Sequence, residues 1–340
     1  MASTEELGSS IFTPQFIAEQ TRELPILATT KTCSGATYIV TGANVGLGFE
    51  TAKHLVQLGA AKVILAVRDV QAGENAKAEI EKETGKNNVL EVWAIDLASF
   101  VSIKAFAAKA QRSLERIDAL VCNAAVALEK WSTAEGHETT ITVNVLGTLL
   151  LGVLLVPKLG ESGRCFKFLG HLVFVSSEAS WTVQQQFDRI RDSPLAKLND
   201  ETIQGMEQRY PLSKLIQVFT VRHLAGLLPL SKTGVVINFV NPGFCKTDIA
   251  RNYTGEFRSF VDSAQEQYGR TAEMGSRPIL HAIVAGKESH GRYLTGCEIR
   301  DNEVPDWVTN EDGKQAEKHV WEDVFKVLND ATSGALSSIL

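Results

Sequence analysis

Tyr210 and Lys214 are the residues whose types and spacing most directly suggest chemistry. On a helix, side chains four positions apart share one face. An ammonium beside a phenol favours the phenolate and lowers the pKa of the phenol from about 10 towards neutral pH. A phenol tuned in this way passes a proton to or from a substrate oxygen. Of the five tyrosines only Tyr210 has a lysine at this spacing, but the pair alone is a weak signal because lysine is common.

A second motif, TGANVGLG at residues 41–48, follows a predicted strand and begins a predicted helix. In a dinucleotide-binding fold this turn holds the pyrophosphate at the helix N-terminus. The first glycine permits the turn, the second lets phosphate approach the backbone, and the third allows the helix to pack closely on the strand. A tight turn without a ligand is the alternative, which the strand before it and the amphipathic helix behind it disfavour. The residues predicted to bind the cofactor here are Gly42, Asn44, Gly46, Leu47 and Gly48.

The end of the second predicted strand, VILAVRD, indicates which cofactor binds. An acid at this place would accept hydrogen bonds from the adenosine ribose of NAD, whereas a guanidinium holds a 2′-phosphate bidentately. Arg68 is the first residue after the apolar run, and Val67 is neutral where the NAD-type acid is expected. The sequence therefore favours NADP(H). The alternative makes Asp69 the ribose ligand and Arg68 a surface cation.

The third predicted strand ends in WAIDLAS and supplies the expected adenine site. The carboxylate of Asp96 could hydrogen-bond the adenine amine, and Leu97 is counted with it as cofactor-binding. Capping of the following helix is the alternative role of Asp96, but Ser99 offers a better cap.

The composition excludes several classes of function. The chain has 340 residues and a net charge of −6 without a basic stripe, so nucleic acid and anionic membranes are not expected partners. Five scattered cysteines and seven histidines without ligand spacing predict reduced thiols and no metal site. The polar N-terminus does not resemble a signal sequence, and the longest apolar stretch, 146–156, is shorter than the roughly 20 residues of a membrane helix. We therefore expect a soluble, cytoplasmic protein without a membrane span.

Short apolar strands alternate with longer helices from residue 36 onward, which is typical of a parallel sheet covered on both faces. We expect an α/β fold, a Rossmann-type doubly wound parallel sheet of about seven strands with helices on both faces. The predicted strands are 37–40, 62–67, 89–95, 119–123, 171–176, 235–240 and 293–299. The main predicted helices are 46–58, 71–83, 100–116, 137–159, 206–228, 271–285 and 315–328.

The sequence shows no repeat or flexible linker that would divide the chain, so we expect one domain with extended ends. Residues 1–34 form an N-terminal extension with a short helix candidate that begins near Pro14. Residues 35–300 form the NADP-binding domain, and residues 301–340 form a C-terminal helical extension.

Taken together, the motifs resemble those of the short-chain dehydrogenase/reductase superfamily. The matching strings keep the family's order over roughly residues 36–300, and the chain is most similar to fungal retinol-dehydrogenase-like and protochlorophyllide-reductase-like members. The strings are TGANVGLG, CNAA at 122–125, VNVLG around Asn144, VSS at 175–177, Tyr210-x-x-x-Lys214 and NPGFCKT at 241–247.

The resemblance implies a catalytic set of four residues. Tyr210 would be the general acid in reduction and the base in oxidation, and Lys214 would lower its pKa and hold the nicotinamide ribose. Ser177 would hydrogen-bond the substrate carbonyl, and the family's alignment favours it over Ser176. Asn144 would anchor a water in a proton relay through Lys214.

The resemblance also implies roles around the nicotinamide end of the cofactor. Asn123 would help shape the cofactor site, and the backbone after Pro242 and Gly243 and the hydroxyl of Thr247 would fix the nicotinamide. The family's usual N-N-A-G reads CNAA at 122–125, so we expect a slightly reshaped turn.

The interval between the predicted catalytic serine and tyrosine is unusually long, at 33 residues. The extra stretch, 181–208, predicts a lid or a pocket wall rather than an inserted domain. Several aromatic residues fall in loops after strand ends, where α/β sheets bind ligands, and together they suggest a large apolar substrate. They are Trp131, Trp181, Phe187, Phe244 and Tyr253.

These observations lead to an expected function. We expect an NADPH-dependent enzyme, a monomer or homodimer, that interconverts a ketone or aldehyde and an alcohol on a lipophilic, polyketide-like metabolite. Hydride delivery places negative charge on the carbonyl oxygen, which a pair of hydroxyls must stabilise and protonate. Reduction of an activated C=C bond and non-catalytic sensing of NADP(H) stay open as alternatives, although the four catalytic residues argue against a sensor.

Overall fold

The structure, a computed structural model, describes residues 12–203 and 205–340 and contains an eight-stranded central sheet. The first eleven residues of the predicted N-terminal extension lie outside this part. The strands are β1 Thr37–Thr41, β2 Lys62–Val67, β3 Leu90–Ala94, β4 Ala119–Cys122, β5 Gly170–Val175, β6 Val235–Asn241, β7 Tyr293–Thr295 and β8 Glu298–Ile299. Their order in the sheet is β8-β7-β6-β5-β4-β1-β2-β3, and only the β7–β8 pair is antiparallel. The predicted doubly wound parallel sheet is confirmed.

The eighth strand arises because the predicted strand 293–299 reverses in its middle. Gly296 and Cys297 both have left-handed backbone, with φ of 58° and 64°, and β8 returns antiparallel to β7. Two consecutive residues of positive φ are typical of tight hairpin turns. The sequence did not predict this reversal because cysteine is not a turn-forming residue type.

Helices cover both faces of the sheet in the described ranges. The longer ones are α1 Pro14–Thr21, α2 Gly46–Gln57, α3 Val70–Thr84, α4 Phe100–Ser113, α5 Thr148–Phe166, α6 Arg209–Leu227, α7 Gly255–Tyr268, α8 Ala272–Val284 and α9 Glu311–Ala331. Shorter helical segments are Thr30–Cys33, Thr139–Ile141, Glu178–Val183, Gln184–Asp188, Pro194–Leu198, Met206–Gln208, Leu230–Thr233, Asp248–Ala250, Lys287–Ser289, Asp301–Glu303, Asp306–Thr309 and Ala335–Ser338.

The start of the predicted helix 137–159 differs from the prediction. His137–Glu138 pairs with Thr133–Ala134 in a small hairpin, and the carboxylate of Glu138 then accepts hydrogen bonds from the amides of Thr140 and Ile141. This cap begins the helix two residues later than predicted. A π-helical turn, Thr142–Gly147, leads into α5. Helix α7 was not predicted.

Each face of the sheet carries its own apolar core. Helices α2, α3 and α8 contribute to one cluster, and α4, α5 and α6 contribute to the other. Strand β1 shows the alternation between them, since Tyr38 and Val40 join the first cluster and Ile39 joins the second. Burial on both faces explains why the parallel strands are continuous apolar runs.

By length and composition, the helical run Thr139–Phe166 could cross a membrane. The sequence alone did not suggest this, because only the uninterrupted apolar stretch 146–156 was counted. However, 89% of its most apolar window is buried inside this fold. A helix that is apolar on all sides is typical of a core position. We therefore interpret the run as the core helix of a folded domain.

Helix α6 is also buried on nearly all sides, because one earlier and one later segment of the chain cover the side turned away from the sheet. The C-terminal helix α9 packs against it and buries Val320, Val324 and Leu328 in the same core. The stretch 181–208 contributes Phe187, whose ring lies 5.1 Å from that of Phe219 on α6. This stretch is thus a wall built from short helices and joined to the core.

The π-helical turn offers a test of how tightly α5 packs. A Cβ on Gly147 would overlap the carbonyl oxygen of Leu97. We expect Gly147→Ala to lower the free energy of unfolding by about 1–3 kcal/mol. Gly226 on α6 is the matched control, because a Cβ there meets no atom within 4 Å.

Gly226→Ala should leave stability unchanged or raise it by up to about 1 kcal/mol, since alanine favours helix. Urea denaturation of both variants checks the comparison. Equal stability of the two variants would show that α5 has room to shift away from Leu97.

Candidate active site

The phenol of Tyr210 lies at the carboxyl end of the sheet, where the hydroxyl of Ser177 faces it. Ser177 is the second residue after β5, and Tyr210 stands in the first turn of α6. The neighbouring Ser176 is buried, and its hydroxyl has no partner in the described chain. The structure thus brings Ser177, and not Ser176, to Tyr210, as alternation along an extended backbone requires.

Burial sets the charge state of the tyrosine. It raises the pKa of Tyr210 to about 12, and the nearby hydroxyl of Ser177 offsets this only in part. The sequence predicted that Lys214 lowers the pKa of Tyr210, and the structure does not show this effect. The phenol therefore holds its proton at neutral pH, which is the form that a general acid requires.

Lys214 is buried beside the tyrosine, and its ammonium points to the backbone of β5. Its Nζ donates to the carbonyl oxygen of Val175 at 2.6 Å and lies 5.9 Å from the centroid of the Tyr210 ring. Burial lowers the pKa of Lys214 to about 7 because desolvation disfavours the charged form. The Lys214 side chain can therefore gain or lose its proton near neutral pH, and a nearby anionic or hydrogen-bond-accepting group would favour the charged form.

Asn144 lies in the π-helical turn, and both polar atoms of its side-chain amide bond to neighbouring segments. Its Oδ1 accepts from the amide of Val126 at 2.9 Å, and its Nδ2 donates to the carbonyl of Val126 at 2.8 Å and to Oγ of Ser213 at 2.9 Å. Ser213 in turn donates to the carbonyl of Tyr210 at 2.7 Å. Asn144 thus supports the helix turn that carries Tyr210.

Gln217 is a residue of the site that sequence reasoning missed. Its Nε2 donates to the carbonyl oxygen of Asn144 at 3.0 Å, and its Oε1 accepts from Nζ of Lys214 at 3.4 Å. A side-chain amide therefore connects the two groups that the expected water would connect. The available signal was a polar residue three positions after Lys214 on an otherwise apolar stretch of helix.

The glycine turn forms a cradle at the start of α2. Gly42 and Gly46 have φ of 66° and 59°, and a Cβ on Gly48 would lie 2.6 Å from Nδ2 of Asn123. Asn123 fixes the turn by donating to the carbonyl of Thr41 at 2.9 Å. Asn44 and Leu47 flank the turn, and no side chain caps α2, so its first amides are available to an anion.

The loop after β6 meets this turn. A Cβ on Gly46 would lie 3.6 Å from Cγ2 of Thr247, which brings the predicted phosphate and nicotinamide residues together. Gly243 has a φ of 84°, and its amide donates to Oδ1 of Asn241 at 3.1 Å. Pro242 is buried at the start of the loop.

The two residues predicted to contact the adenosine ribose have different surroundings. Oδ1 of Asp69 accepts from the amide of Ala72 at 3.0 Å and caps α3, whereas Arg68 is exposed without an ion partner in the described ranges. Similarly, Ser99 caps α4, while Oδ1 of Asp96 accepts from the amide of Ala98 beside the buried Leu97. Arg68 therefore lies at this edge of the sheet as an exposed cation without an ion partner in the described ranges.

The aromatic residues of the loops do not form one group. Phe187 is core, and the ring of Trp181 packs at 5.6 Å against that of Tyr293. Only Tyr253 belongs to a small apolar cluster that contacts Tyr210, together with Ala127. No cluster of metal-ligating side chains occurs in the described parts of the chain.

Comparison with known proteins gives consistent matches. A family model for short chain dehydrogenases matches residues 36–187. The short chain dehydrogenase/reductase dmxR8 of Cryptosporiopsis sp. (strain 8999) is 39% identical over 313 residues, which cover 90% of this chain and 94% of that protein. The short chain dehydrogenase atnD of Emericella nidulans is 41% identical over 288 residues, which cover 82% and 89% of the two chains.

A solved structure with a similar fold is that of a short-chain dehydrogenase from Sphingobium yanoikuyae in complex with NADPH. It has a TM-score of 0.57 and 20% identity, and the superposition covers 85% of this chain and 95% of that one. At 20% identity, this comparison shows that the two proteins share a fold.

The contact of Gln217 with Lys214 predicts a change in proton affinity. Gln217→Glu places a carboxylate beside the ammonium and should raise the pKa of Lys214, because an opposite charge favours the charged form. Gln217→Leu removes an acceptor and should lower it. NMR titration of protein labelled at the lysine side chains measures both, with the Lys214 resonance assigned from Lys214→Arg. Identical titration in all three proteins would mean that Gln217 does not act on Lys214.

Proposed function

This chain belongs to the short-chain dehydrogenase family, and we propose that it is an NADPH-dependent reductase that converts a ketone or aldehyde to an alcohol, or catalyses the reverse oxidation. The observation that carries the proposal is the buried phenol of Tyr210, which is protonated at neutral pH and faces the hydroxyl of Ser177. An acid and a second hydroxyl at one point are what a carbonyl oxygen requires as it gains charge.

NADPH, when bound, supplies the hydride, which is one proton and two electrons. Ser177 and Tyr210 then both donate hydrogen bonds to the carbonyl oxygen as negative charge develops there. The phenol proton of Tyr210 passes to this oxygen, so that the products are an alcohol and NADP⁺. In oxidation the phenolate of Tyr210 would take the alcohol proton, and a bound NADP⁺ would accept the hydride.

Lys214 and Asn144 support Tyr210 in this proposal. A Lys214 ammonium that holds the nicotinamide ribose also stabilises the phenolate left after proton transfer. Asn144 acts on Lys214 through the amide of Gln217, in the place where the sequence suggested a water, and on Tyr210 through Ser213. Both residues are thus positioning groups around one acid.

The proposed cofactor site combines the cradle of Gly42, Gly46 and Gly48 with the amides at the start of α2. The fit is supported by Gly48, whose missing Cβ lets α2 pack closely on the turn, and by Gly46, where a Cβ would meet no atom closer than 3.6 Å and the backbone is open to pyrophosphate. Proposed contacts elsewhere are Asn44, Leu47, Asp96, Leu97, Asn123, Pro242, Gly243 and Thr247. Selection of NADPH is assigned to Arg68, and the NADPH complex of the Sphingobium relative is consistent with this.

For the substrate we propose a lipophilic, polyketide-like secondary metabolite. The support is the apolar cluster of Ala127, Ala250 and Tyr253 beside Tyr210, and the fungal origin of similar dehydrogenases. A panel in which only small polar carbonyls react would contradict this part of the proposal.

We also propose that the protein acts as a monomer in the cytoplasm. Helix α9 and the stretch 181–208 cover the outer side of α6, which removes an apolar face that a second copy would otherwise cover. The five cysteines are free thiols, which suits a reducing compartment.

Removal of the phenol hydroxyl tests the proposed acid. Tyr210→Phe should lower turnover by about 10²–10⁴-fold, because proton transfer in the transition state is lost. NADPH binding, followed by fluorescence titration, should stay nearly unchanged. Unaltered turnover would rule out Tyr210 as the acid.

The adjacent serines provide a matched control for this experiment. Ser177→Ala should lower turnover, whereas Ser176→Ala should not, because only Ser177 reaches Tyr210. Equal losses in the two variants would indicate a general disturbance of the turn after β5.

Arg68→Ala tests the choice of cofactor. Loss of a charged hydrogen-bond donor to the 2′-phosphate should weaken NADPH binding about 10–100-fold. NADH lacks this phosphate, so its affinity should change little. Arg112, an exposed arginine on α4, serves as the control. Equal losses for NADPH and NADH would instead favour Asp69 as the selecting residue.

A further inference from the structure

We infer that the N-terminal helix α1 is a strap that holds the nicotinamide loop in place, and that Gln20 is the positioning residue through which it acts. The inference rests on the proposed function, because it takes residues 242–247 as the loop that receives the nicotinamide. Helix α1 precedes β1 in sequence, yet it contacts segments more than two hundred residues later.

The partner of the strap is an excursion of the chain, residues 246–269, which we call the cover. It carries Thr247, Tyr253 and helix α7, and so it closes one side of the site. Its two ends meet at a neck formed by a parallel bridge between Cys245 and Arg270. Since the neck follows Gly243 by two residues, movement of the neck also moves the loop.

Gln20 joins the two sides of the neck through one buried amide. Its Nε2 donates to the carbonyl of Phe244 at 2.7 Å and to the carbonyl of Tyr268 at 3.3 Å, and its Oε1 accepts from the amide of Phe244 at 3.2 Å. The side chain is 7% exposed. Gln20 thus bonds both backbone groups of Phe244, as a neighbouring strand would.

Arg270 fastens the strap from the other direction. Its buried guanidinium donates to the carbonyl of Gln20 at 3.2 Å, to that of Pro242 at 3.3 Å, and to that of Glu19. One side chain therefore bonds the end of α1 and the start of the nicotinamide loop together. The carboxylates of Glu178, directly after Ser177, and Glu19 face this charge.

Gly243 shows how closely the loop rests on these two side chains. A Cβ there would lie 2.5 Å from Nη1 of Arg270 and 2.7 Å from Oε1 of Gln20. Its φ of 84° also favours glycine. The loop therefore has no free space on the side of the strap, so a shift of Gln20 is transmitted to it directly.

An aromatic group anchors the beginning of the strap to the cover. The ring of Phe12 stacks on that of Tyr268 with centroids 4.7 Å apart, and lies 5.9 Å from Phe244 and 6.3 Å from Phe260. At the other end, Arg22 donates to the carbonyl of Gly296. The strap is thus attached on both sides of Gln20, which keeps its amide at the neck.

The variant Gln20→Ala tests the inference, with Gln15→Ala as its control. Gln15 is exposed on the same helix, so the two substitutions are alike except for the contacts with the neck. Gln20→Ala should raise the Kd for NADPH about fivefold to tenfold, since three part-buried hydrogen bonds that hold the loop and the cover are lost. Amide hydrogen exchange in peptides from 246–269 should become faster. Gln15→Ala should change neither.

A second variant separates positioning from general destabilisation. Gln20→Glu keeps the shape and the acceptor oxygen but cannot donate to the two carbonyls, so it should resemble Gln20→Ala. In both variants the KM for NADPH should rise while kcat at saturating NADPH is retained, because Gln20 contacts none of the proposed catalytic groups. Wild-type affinity and exchange in Gln20→Ala and Gln20→Glu would overturn the inference.

Failure of the proposed function can be recognised separately. A wild-type protein that does not bind NADPH would overturn the function, and the exchange of residues 246–269 would still decide whether the strap holds the cover. Normal NADPH binding with no effect of either Gln20 variant would overturn the strap alone.

Discussion

The buried hydrogen bond from Nζ of Lys214 to the carbonyl oxygen of Val175 is the interaction on which the candidate site depends. It joins helix α6 to the carboxyl end of β5, the strand that leads to Ser177. Because Tyr210 lies one turn before Lys214, the same bond places the phenol beside the Ser177 hydroxyl. A buried ammonium requires such acceptors, and Oε1 of Gln217 supplies a second one.

Burial also sets the charges in the site. It raises the pKa of Tyr210 and lowers that of Lys214, so both shifts favour the neutral forms. The tyrosine is consequently ready to act as an acid, while the lysine gains its full charge only with a suitable partner. This coupling explains how a tyrosine–lysine pair can lie in an apolar interior without two permanent buried charges.

Local patterns allowed much of the fold and site to be predicted, because they depend on neighbouring residues. Short apolar strands that alternate with longer helices predicted the sheet, and the spacing of Gly42, Gly46 and Gly48 predicted the turn before α2. Contacts between distant segments were not predictable in this way. Gln217 reaches Asn144 73 positions away, and Gln20 reaches Phe244 224 positions away. The pKa of Tyr210 was misjudged because spacing does not reveal depth of burial.

Deuterium transfer measures most directly whether NADPH delivers a hydride to a carbonyl carbon in this protein. NADPH labelled at either C4 position would be incubated with a panel of lipophilic ketones, aldehydes and enones, and the label located in the products by mass spectrometry and NMR. We predict deuterium on the carbinol carbon of an alcohol product. Deuterium on a former alkene carbon, or no transfer to any carbonyl of the panel, would contradict the proposed function.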